Sequence, residues 1–493
     1  MSTGTASGMR GLVSRVKQQV GQKLTRSTER TTDPGVPPAP FNPEYYKFKY
    51  PDLAELDETQ LLEHWNTYGQ NENRLGWPQT ETVTDQINQA AQCLDPSKET
   101  VLLVLHEGSY TGAPILGWNI ARALNAEKNV VTLLLKGGEM TPAFDEVSTF
   151  VINGAGAEWN NFTAEPIAQA LQELLKPAYA IANSAVTFPI VPSIGRSGIP
   201  TIALVHEFAT GLRNGTETLL DDFYDQVSHV VFPAEIVAGT MRADYPILQT
   251  KPVLIYPQGQ SDIPPKPALD EVRDDDDASD DDGSADEVEP PDSRYLALDE
   301  FLGQVGSDCH LVLAAGTIEP RKGTDLFIQT AAHYHRRHAG SNVKFAWIGA
   351  EGYDYGYNQQ VKEQLRRYGD TAPVDFILPT DRLGELYQRT DVFFLPSRLD
   401  PMPNVAIDAA MLGIPVIAFD QGSGFAQWLV SSEPLQQLVV PDSDIAAAAE
   451  LAGHLVDDAQ YREYLSTQIA QHAQESFNMD AYVAKIDNLA HQI

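Results

Sequence analysis

Short, mostly apolar runs alternate with segments of helical periodicity through most of this 493-residue chain. Runs that are apolar at every position are typical of strands buried on both faces of a parallel sheet. Strands of this kind, separated by helices, predict doubly wound α/β domains. The runs form two series, which read VLLVL, NVVTLLL, AYAIAN, TIALVH, HVVFP and PVLIY, and then HLVLAAG, VKFAWIG, VDFIL, DVFFLP, PVIAFD and LQQLVV.

The two series predict two Rossmann-like domains, one at residues 97–257 and the other at residues 301–475. A chain of this length exceeds the usual size of one domain, which agrees with that division. Ligands of open parallel sheets bind beyond the carboxyl ends of the strands. Two such domains that face each other create a cleft lined by both sets of strand ends. The residues directly after the strands are therefore the candidates for function.

Helical segments are predicted on either side of this core. Residues 43–92 predict a small helical element, in which Asp57 suits an N-cap position and Leu61, Trp65 and Tyr68 fall on one helical face. We interpret this element as a packing or docking unit. Residues 476–493 predict a C-terminal helix.

Two segments are predicted to be disordered. Residues 1–42 form a basic tail that ends in a Pro-rich linker, and residues 258–300 contain the acidic run DEVRDDDDASDDDGSADEVEPPDS. Self-repulsion and the near absence of apolar residues prevent such a run from building a core, so it is predicted to be an interdomain insertion. In the basic tail, apolar residues recur every four positions from 12 to 24. That pattern suits either peripheral contact with an anionic membrane surface or a disordered tail.

Composition excludes several classes of function. The chain has 34 Lys and Arg against 68 Asp and Glu, and its net charge of −34 repels nucleic acid over most of the surface. No apolar run approaches the length of a membrane-spanning helix. Cys93 and Cys309 are the only cysteines and form neither a metal-binding spacing nor a disulfide framework. A reducing, cytoplasmic location is therefore expected.

A cationic loop follows the first strand of the second series. The sequence TIEPRKGTDLFI places Arg321 and Lys322 just before a helix that begins near Gly323 or Thr324. Unpaired backbone N–H groups at a helix start, together with two cations, make an anion site suited to a diphosphate. Cations before helices are also common on ordinary surfaces, so the strand-loop-helix context is what favours the phosphate interpretation.

Two aspartates surround a proline-containing turn further along the second series. The strand DVFFLP runs into a loop that contains Asp400, and a helix is predicted from Asn404 to Leu412, ended by Gly413. Asp408 then lies about one turn inside that helix. A carboxylate accepts two hydroxyl hydrogen bonds at once, so one aspartate suits a sugar and the other a ribose diol.

These blocks carry a family resemblance. GTIEPRKG, FAWIG, LPSRLDPMPNVAIDAAMLGIPVIAFD and the following GSG resemble the C-terminal half of the family 4 (group 1) retaining glycosyltransferases, whose fold is GT-B. The resemblance implies that Arg321 and Lys322 bind a donor diphosphate, that Asp408 and Asp400 hold the ribose and the donor sugar, and that Asn404 belongs to the donor site. Through the same resemblance, the loop Gly422, Ser423 and Gly424 is expected to offer backbone N–H groups to the donor. The chain departs from the family by having Asp at both positions of its Glu-x7-Glu motif.

The first domain matches the family less closely. HEGSYTGAP resembles the Gly-containing loop that faces the donor phosphates, and Gly112 is small enough for a ligand to approach its backbone. TIALVHEF places His206 at the end of a strand, where family members have a histidine that contacts the donor sugar. His106 follows another strand, so either histidine can serve as the catalytic one. Each can also simply cap its strand.

The resemblance implies transfer of a sugar from a nucleotide diphosphate sugar to an acceptor hydroxyl with retention at the anomeric carbon. Neither a metal nor a cofactor is expected, because the fixed cations neutralise the diphosphate. The acceptor is expected to be a glycan, a lipid-linked molecule or a protein. Two alternatives stay open: a non-catalytic GT-B scaffold, in which the two Asp residues mark lost activity, and a sugar-nucleotide epimerase on the same fold.

Overall fold

A computed structural model describes residues 41–212, 217–265, 295–306, 308–369 and 374–492. The predicted basic tail and the acidic run lie outside the described residues, apart from the ends named below. The chain divides into two compact units with a boundary at Pro78. The first unit contains helices α1 (Pro43–Lys49) and α2 (Glu58–His64), and α2 continues into a π-helical turn over Trp65–Gly69.

Capping and aromatic packing explain the first unit. Asp57 caps α2, because its side chain accepts from the backbone N–H of Gln60 while the Gln60 side chain accepts from the backbone N–H of Asp57. The core of this unit contains Tyr46, Leu61 and Trp65, all buried. The structure thus confirms the predicted N-cap and buries Leu61 and Trp65 of the predicted face, whereas Tyr68 is only partly buried.

The second unit begins with a seven-stranded parallel sheet in the order β3-β2-β1-β4-β5-β6-β7. Its strands are β1 (Thr100–Leu105), β2 (Asn129–Leu134), β3 (Phe150–Asn153), β4 (Tyr179–Asn183), β5 (Thr201–Leu204), β6 (His229–Phe232) and β7 (Val253–Ile255). Its helices are α3 (Glu81–Cys93), α4 (Gly112–Asn125), α5 (Thr141–Val147), α6 (Asn161–Ala170), α7 (Val191–Arg196), α8 (Ala209–Leu212), α9 (Glu217–Gln226) and α10 (Glu235–Asp244).

A second seven-stranded parallel sheet follows in the order β14-β13-β12-β9-β10-β11-β8. Its strands are β8 (Tyr295–Leu296), β9 (His310–Ala315), β10 (Val343–Ile348), β11 (Val374–Ile377), β12 (Val392–Leu395), β13 (Val416–Phe419) and β14 (Val439–Val440). The helices are α11 (Leu298–Gln304), α12 (Thr324–Arg337), α13 (Tyr355–Tyr368), α14 (Leu383–Tyr387), α15 (Asn404–Met411), α16 (Gly424–Val430), α17 (Ile445–Asp457), α18 (Ala459–Ser476) and α19 (Met479–Ala490).

The strand pattern confirms the predicted doubly wound fold. Residues of β1, β2, β4 and β5 are buried at every position, as strands covered by helices on both faces must be. Strands β3 and β8 were not predicted. They have four and two residues, too few to stand out as apolar runs, and each lies at an edge of its sheet.

Two predicted domain boundaries differ from the structure. Helix α3 was assigned to the helical element at 43–92, but it belongs to the second unit, because Val83 and Ile87 are buried in the main core. Gln86 also exchanges two hydrogen bonds with the backbone of Asn153 in β3. The predicted insertion at 258–300 is likewise shorter at both ends. Residues 258–265 have a defined path, and the second sheet begins at Tyr295, followed by helix α11 from Leu298.

The predicted C-terminal helix at 476–493 corresponds to α19, and its packing was not predicted. Tyr482, Val483 and Ile486 of α19 are buried with residues of β1 and α4. The chain therefore returns from the second domain to cover the first sheet. None of the helices in the described part of the chain combines the length and apolar character needed to traverse a bilayer.

Candidate functional site

A cavity of about 590 Å³ lies between the carboxyl ends of the two sheets. In the second sheet it opens where β9 and β12 are neighbours, which is the point at which the strand order reverses. Loops after adjacent strands diverge at such a switch point and leave a crevice. Of the predicted site residues, the cavity is lined by Gly112, His206, Arg321, Lys322, Asp400, Asn404 and Asp408.

The cationic loop is held by a tight turn between β9 and α12. Pro320–Lys322 forms a short 3₁₀ turn, and Gly323 then adopts φ 74° before the helix begins. A Cβ atom at Gly323 would lie 2.0 Å from the carbonyl oxygen of Pro396, so only glycine fits there. This close approach ties the cationic loop to the loop after β12 and directs Lys322 toward the cavity.

Asp400 is buried at the centre of the second-domain half of the cavity. Its side chain accepts a hydrogen bond from Lys322 Nζ at 2.6 Å, and Arg321 Nη1 lies 3.9 Å from its other oxygen. Only 3% of Asp400 is exposed, so its negative charge requires these cations. Arg321 is half-exposed and also bonds Glu319 at 2.7 Å. The structure therefore pairs Lys322 with Asp400, although the sequence analysis assigned Lys322 to the diphosphate of a donor and Asp400 to its sugar.

Helix α15 presents Asn404 and Asp408 one turn apart. The predicted helix is confirmed, with Gly413 in the left-handed region at φ 76° just after its end. Asp408 Oδ1 accepts from Gln260 Nε2 at 3.0 Å. Burial raises the pKa of the Asp408 carboxyl to about 6, the Gln260 hydrogen bond lowers it, and the charge of Asp262 adds to the rise. Near neutral pH this carboxylate is therefore close to its titration point.

His206 lines the first-domain wall of the cavity. Asn183 Nδ2 donates to the backbone of Ala113 at 2.6 Å, which leaves Asn183 Oδ1 to accept from His206 Nε2 at 3.1 Å. Burial lowers the pKa of His206, with the charge of Glu207 acting against that shift. The neutral ring thus carries its proton on Nε2. Its Nδ1 is buried and has no hydrogen-bond partner among the described residues.

Gly112 begins helix α4 on the same wall. A Cβ atom at Gly112 would have only Asn404 Nδ2 near it, at 3.7 Å, so the backbone faces open space on the cavity side. His106, by contrast, is not part of the cavity wall; its Nε2 lies 3.6 Å from Glu107. Of the two candidate histidines, the structure brings only His206 to the cavity.

The predicted donor-binding loop of Gly422, Ser423 and Gly424 lies behind Asp400 and does not line the cavity. Gly424 N donates to Asp400 O at 3.1 Å, and Gly422 O accepts from Asp400 N at 3.0 Å. The Ser423 hydroxyl caps α16 by accepting from Ala426 N. The expectation that this loop donates to a ligand is corrected by these contacts: it supports the backbone of Asp400.

The sequence did not predict a hydrogen-bonded group that supports the second-domain half of the cavity. Arg398 donates to both carboxylate oxygens of Asp325 at 2.7 Å and to the backbone of Pro320 at 2.9 Å. Tyr357 completes the group by donating to Asp325 at 2.7 Å. The Arg398 and Leu399 N–H groups also donate to Arg321 O. Arg398 thereby fixes the loop that carries Arg321 against the loop that carries Asp400. The contacts join three separate segments of the chain.

The interdomain residues Gln258, Gln260 and Ser261 were missed as well, because they follow a proline and were assigned to the acidic insertion. Gln258 and Ser261 line the cavity of the folded protein, and Gln260 bonds Asp408, which also lines it. A metal-type cluster of Glu99, Asp487 and His491 lies elsewhere in the described residues. There Lys128 Nζ contacts Glu99 at 2.5 Å and Asp487 at 2.9 Å, so an ammonium group already compensates the two carboxylates.

Two facing doubly wound domains with a cavity at the switch point define the GT-B class of fold. The structure of HepE from Anabaena in complex with UDP and glucose aligns with 80% of this chain and 99% of its own, with a TM-score of 0.60 and 14% identity. At that identity the match establishes the fold. Residues 304–472, which form most of the second domain, match the family described as glycosyl transferases group 1.

Two named relatives match part of this chain. The D-inositol 3-phosphate glycosyltransferase of Rhodococcus erythropolis is 32% identical over 115 residues, which cover 23% of this chain and 26% of the relative. The alpha-galactosylglucosyldiacylglycerol synthase of Streptococcus pneumoniae is 29% identical over 134 residues, covering 26% of this chain and 33% of the relative. This chain thus spans about a third or less of the length of these relatives.

Proposed function

We propose that this protein is a retaining glycosyltransferase that moves a sugar from a nucleotide diphosphate sugar to an acceptor hydroxyl. The observation that carries the proposal is the convergence of Arg321, Lys322, Asp400 and Asp408 on one cavity between the two sheets. The fold is shared with HepE of Anabaena, whose structure contains UDP and glucose. The family match of the second domain supports the same reaction class.

The cationic loop serves the leaving group in this proposal. Departure of a nucleoside diphosphate builds negative charge on its terminal phosphate, and donors that are fixed beforehand stabilise that charge without reorganising. Lys322 is held in place by Asp400, and its ammonium has three N–H donors, so it can bind a phosphate oxygen while it keeps that contact. Arg321 is more exposed and adds a second cation at the mouth.

The sugar and the ribose are assigned to the remaining polar groups. Asp408 accepts the ribose hydroxyls, since one of its oxygens is bound by Gln260 and no other protein donor reaches the carboxylate among the described residues. Asp400 orients the sugar together with Lys322. His206 lines the cavity and its ring is neutral, which suits orientation of the donor and not proton delivery.

The acceptor is assigned to the first-domain wall. That wall includes Gly112 and the apolar side chains of Ile115, Leu116 and Phe208. We propose a glycan, a lipid-linked molecule or a protein as the acceptor, in polysaccharide, glycolipid or glycoprotein synthesis. We also propose a cytoplasmic location, consistent with the two free cysteines.

A panel of nucleotide sugars tests the proposal through donor hydrolysis and transfer to simple acceptors. We expect one donor to be turned over, nuclear magnetic resonance of the first product to show the anomeric configuration of the donor, and turnover to be unchanged in EDTA, because fixed cations neutralise the diphosphate. Inversion would remove the retaining assignment, and loss of turnover in EDTA would remove the metal-independent one.

Two alternatives give different results in the same assays. A non-catalytic GT-B scaffold would leave every donor intact, and it need not bind nucleoside diphosphates. An epimerase would convert the donor sugar without any acceptor. The presence of both Arg321 and Lys322 on the cavity wall favours the enzyme over the scaffold, because a site that binds no phosphate does not need two cations there.

A further inference from the structure

In the described part of the chain, two segments connect the two domains, and these two crossings touch. The first crossing follows β7, and the second joins α18 to α19. Gln260 N donates to Phe477 O at 2.8 Å. A Cβ atom at Gly259 would lie 2.4 Å from Met479 Cα and 2.8 Å from Met479 N. Glycine at 259 therefore lets the two backbones pack directly against each other.

The glutamines on either side of Gly259 both reach helix α15. Gln258 Nε2 donates to Asn404 Oδ1 at 2.5 Å, and Gln260 Nε2 donates to Asp408 Oδ1 at 3.0 Å. Gln258 is 6% exposed, so its amide is committed to this contact. The interdomain segment thus bonds the two polar side chains that α15 contributes to the cavity.

The spacing of the two pairs explains how one short segment makes both contacts. Two residues of an extended chain span about 6.6 Å, and four residues of a helix rise about 6 Å. Side chains at positions 258 and 260 therefore match side chains at positions 404 and 408. A shift of the segment by one residue would break both bonds together.

We infer that Gln258 and Gln260 are positioning residues of the donor site, which is complete only while the interdomain segment is docked on α15. This inference rests on the proposed function, in which Asp408 binds the ribose of a nucleotide. Gln260 holds one carboxylate oxygen and leaves the other for a diol. Gln258 fixes the amide of Asn404 at the start of the helix. The two crossings thereby couple the relative position of the domains to the donor site.

Loss of Gln260 is expected to change the protonation of its partner, whereas loss of Gln258 is not. Asp408 titrates, whereas Asn404 does not, so only Gln260 affects a protonation equilibrium. The groups that act on the Asp408 carboxyl are Gln260, which favours its ionised form, and Asp262, which disfavours it; Tyr387 is the further titratable group whose ionisation Asp408 opposes. Removal of the Gln260 amide leaves burial and the charge of Asp262 unopposed, which favours the protonated acid.

The test uses the full-length protein and calorimetric titration with UDP, GDP and ADP at pH 6 and pH 8. The variants are Gln260→Met, Gln258→Met and the control Gln86→Met, whose glutamine is also part-buried and hydrogen-bonded but lies away from the cavity. For the nucleotide that binds the wild type, we expect Gln260→Met to lose about tenfold in affinity at pH 6 and clearly less at pH 8. Gln258→Met should lose affinity equally at both pH values, and Gln86→Met should bind like the wild type.

Gln260→Asn provides a second variant if Gln260→Met does not fold, because it keeps the polar amide and shortens its reach by one methylene. Wild-type affinity in the Gln258 and Gln260 variants, with weak binding in Asp408→Asn, would overturn this inference and leave the proposed function intact. An equal loss at pH 6 and pH 8 in the Gln260 variants would also overturn it. Failure of all three nucleotides to bind the wild-type protein would instead overturn the proposed function.

Discussion

Lys322 Nζ donates to Asp400 Oδ2 at 2.6 Å, which joins the loop after β9 to the loop after β12. The two residues are far apart in sequence, and neighbouring strands at the switch point bring them together. A lysine fixed in this way presents its remaining N–H groups in constant directions. The ion pair therefore contributes both to the stability of the second domain and to the shape of the proposed diphosphate site.

The first prediction separates these two contributions. Lys322→Met leaves the buried Asp400 carboxylate without its main partner, so we expect the free energy of unfolding to fall by about 3 kcal/mol and turnover to be almost abolished. Lys322→Met combined with Asp400→Asn should recover most of the stability and none of the turnover. Urea unfolding and the donor hydrolysis assay measure both quantities.

Lys344→Met is the matched control for that pair. Lys344 and Asp375 bond at 2.9 Å on β10 and β11, but their side chains are 29% and 27% exposed and do not line the cavity. We expect a loss below about 1 kcal/mol and unchanged turnover. Recovery of turnover in the double variant would contradict the assignment of Lys322 to the diphosphate.

The second prediction concerns the pH dependence of stability through Asp408. Its pKa is raised from the usual 3.8 to about 6 by burial. Below about pH 4 the group is protonated in the folded and the unfolded protein alike. Between about pH 4 and pH 6 the unfolded state ionises while the folded state keeps its proton, so stability falls across this window and levels off above it. The wild type therefore loses up to about 3 kcal/mol of stability that Asp408→Asn retains.

We expect Asp408→Asn to equal the wild type in stability near pH 4 and to exceed it above pH 7, as measured by urea unfolding at several pH values. Asparagine can still accept the Gln260 hydrogen bond, so the comparison isolates the charge. A stability difference that does not change with pH would mean that Asp408 ionises like an exposed aspartate. Turnover should be low in this variant at every pH.

The third prediction tests the contact of Arg398 with Asp325, which supports the second-domain half of the cavity. Arg398 binds Asp325 through two parallel hydrogen bonds, a geometry that lysine cannot reproduce. We expect Arg398→Lys to lower kcat about tenfold, because the cationic and acidic loops lose their common support. Arg382→Lys is the control, since Arg382 also makes paired bonds with an aspartate, Asp299, but bonds neither the loop that carries Arg321 nor the loop that carries Asp400. Equal effects in the two variants would argue against a specific role.

The fourth prediction compares two glycines. Gly259→Ala places a Cβ atom against the Met479 backbone, and we expect a loss of about 2 kcal/mol in stability and weaker nucleotide binding. At Gly239, inside α10, a Cβ atom would meet nothing within 4 Å, so Gly239→Ala should stabilise the protein by about 0.5–1 kcal/mol. Thermal and urea unfolding measure both, and a neutral Gly259→Ala would show that the crossings can separate without cost.

The sequence by itself determined the two doubly wound domains, because buried parallel strands must be apolar at every position, and that pattern is local. It also located the residues that follow β9 and β12, since strand, loop and helix are contiguous there. Lys322, Asp400 and Asp408 were therefore available from the sequence as candidates for one site.

Tertiary structure decided which candidates meet and what supports them. His206 lines the cavity and His106 does not, although both follow strands, because the position of a strand in the sheet order is not a local property. The contacts of Gln260 with Asp408 and of Arg398 with Asp325 join segments that are distant in sequence, so no local sequence pattern predicts them. Burial likewise sets the pKa of Asp408, and burial exists only in the folded chain.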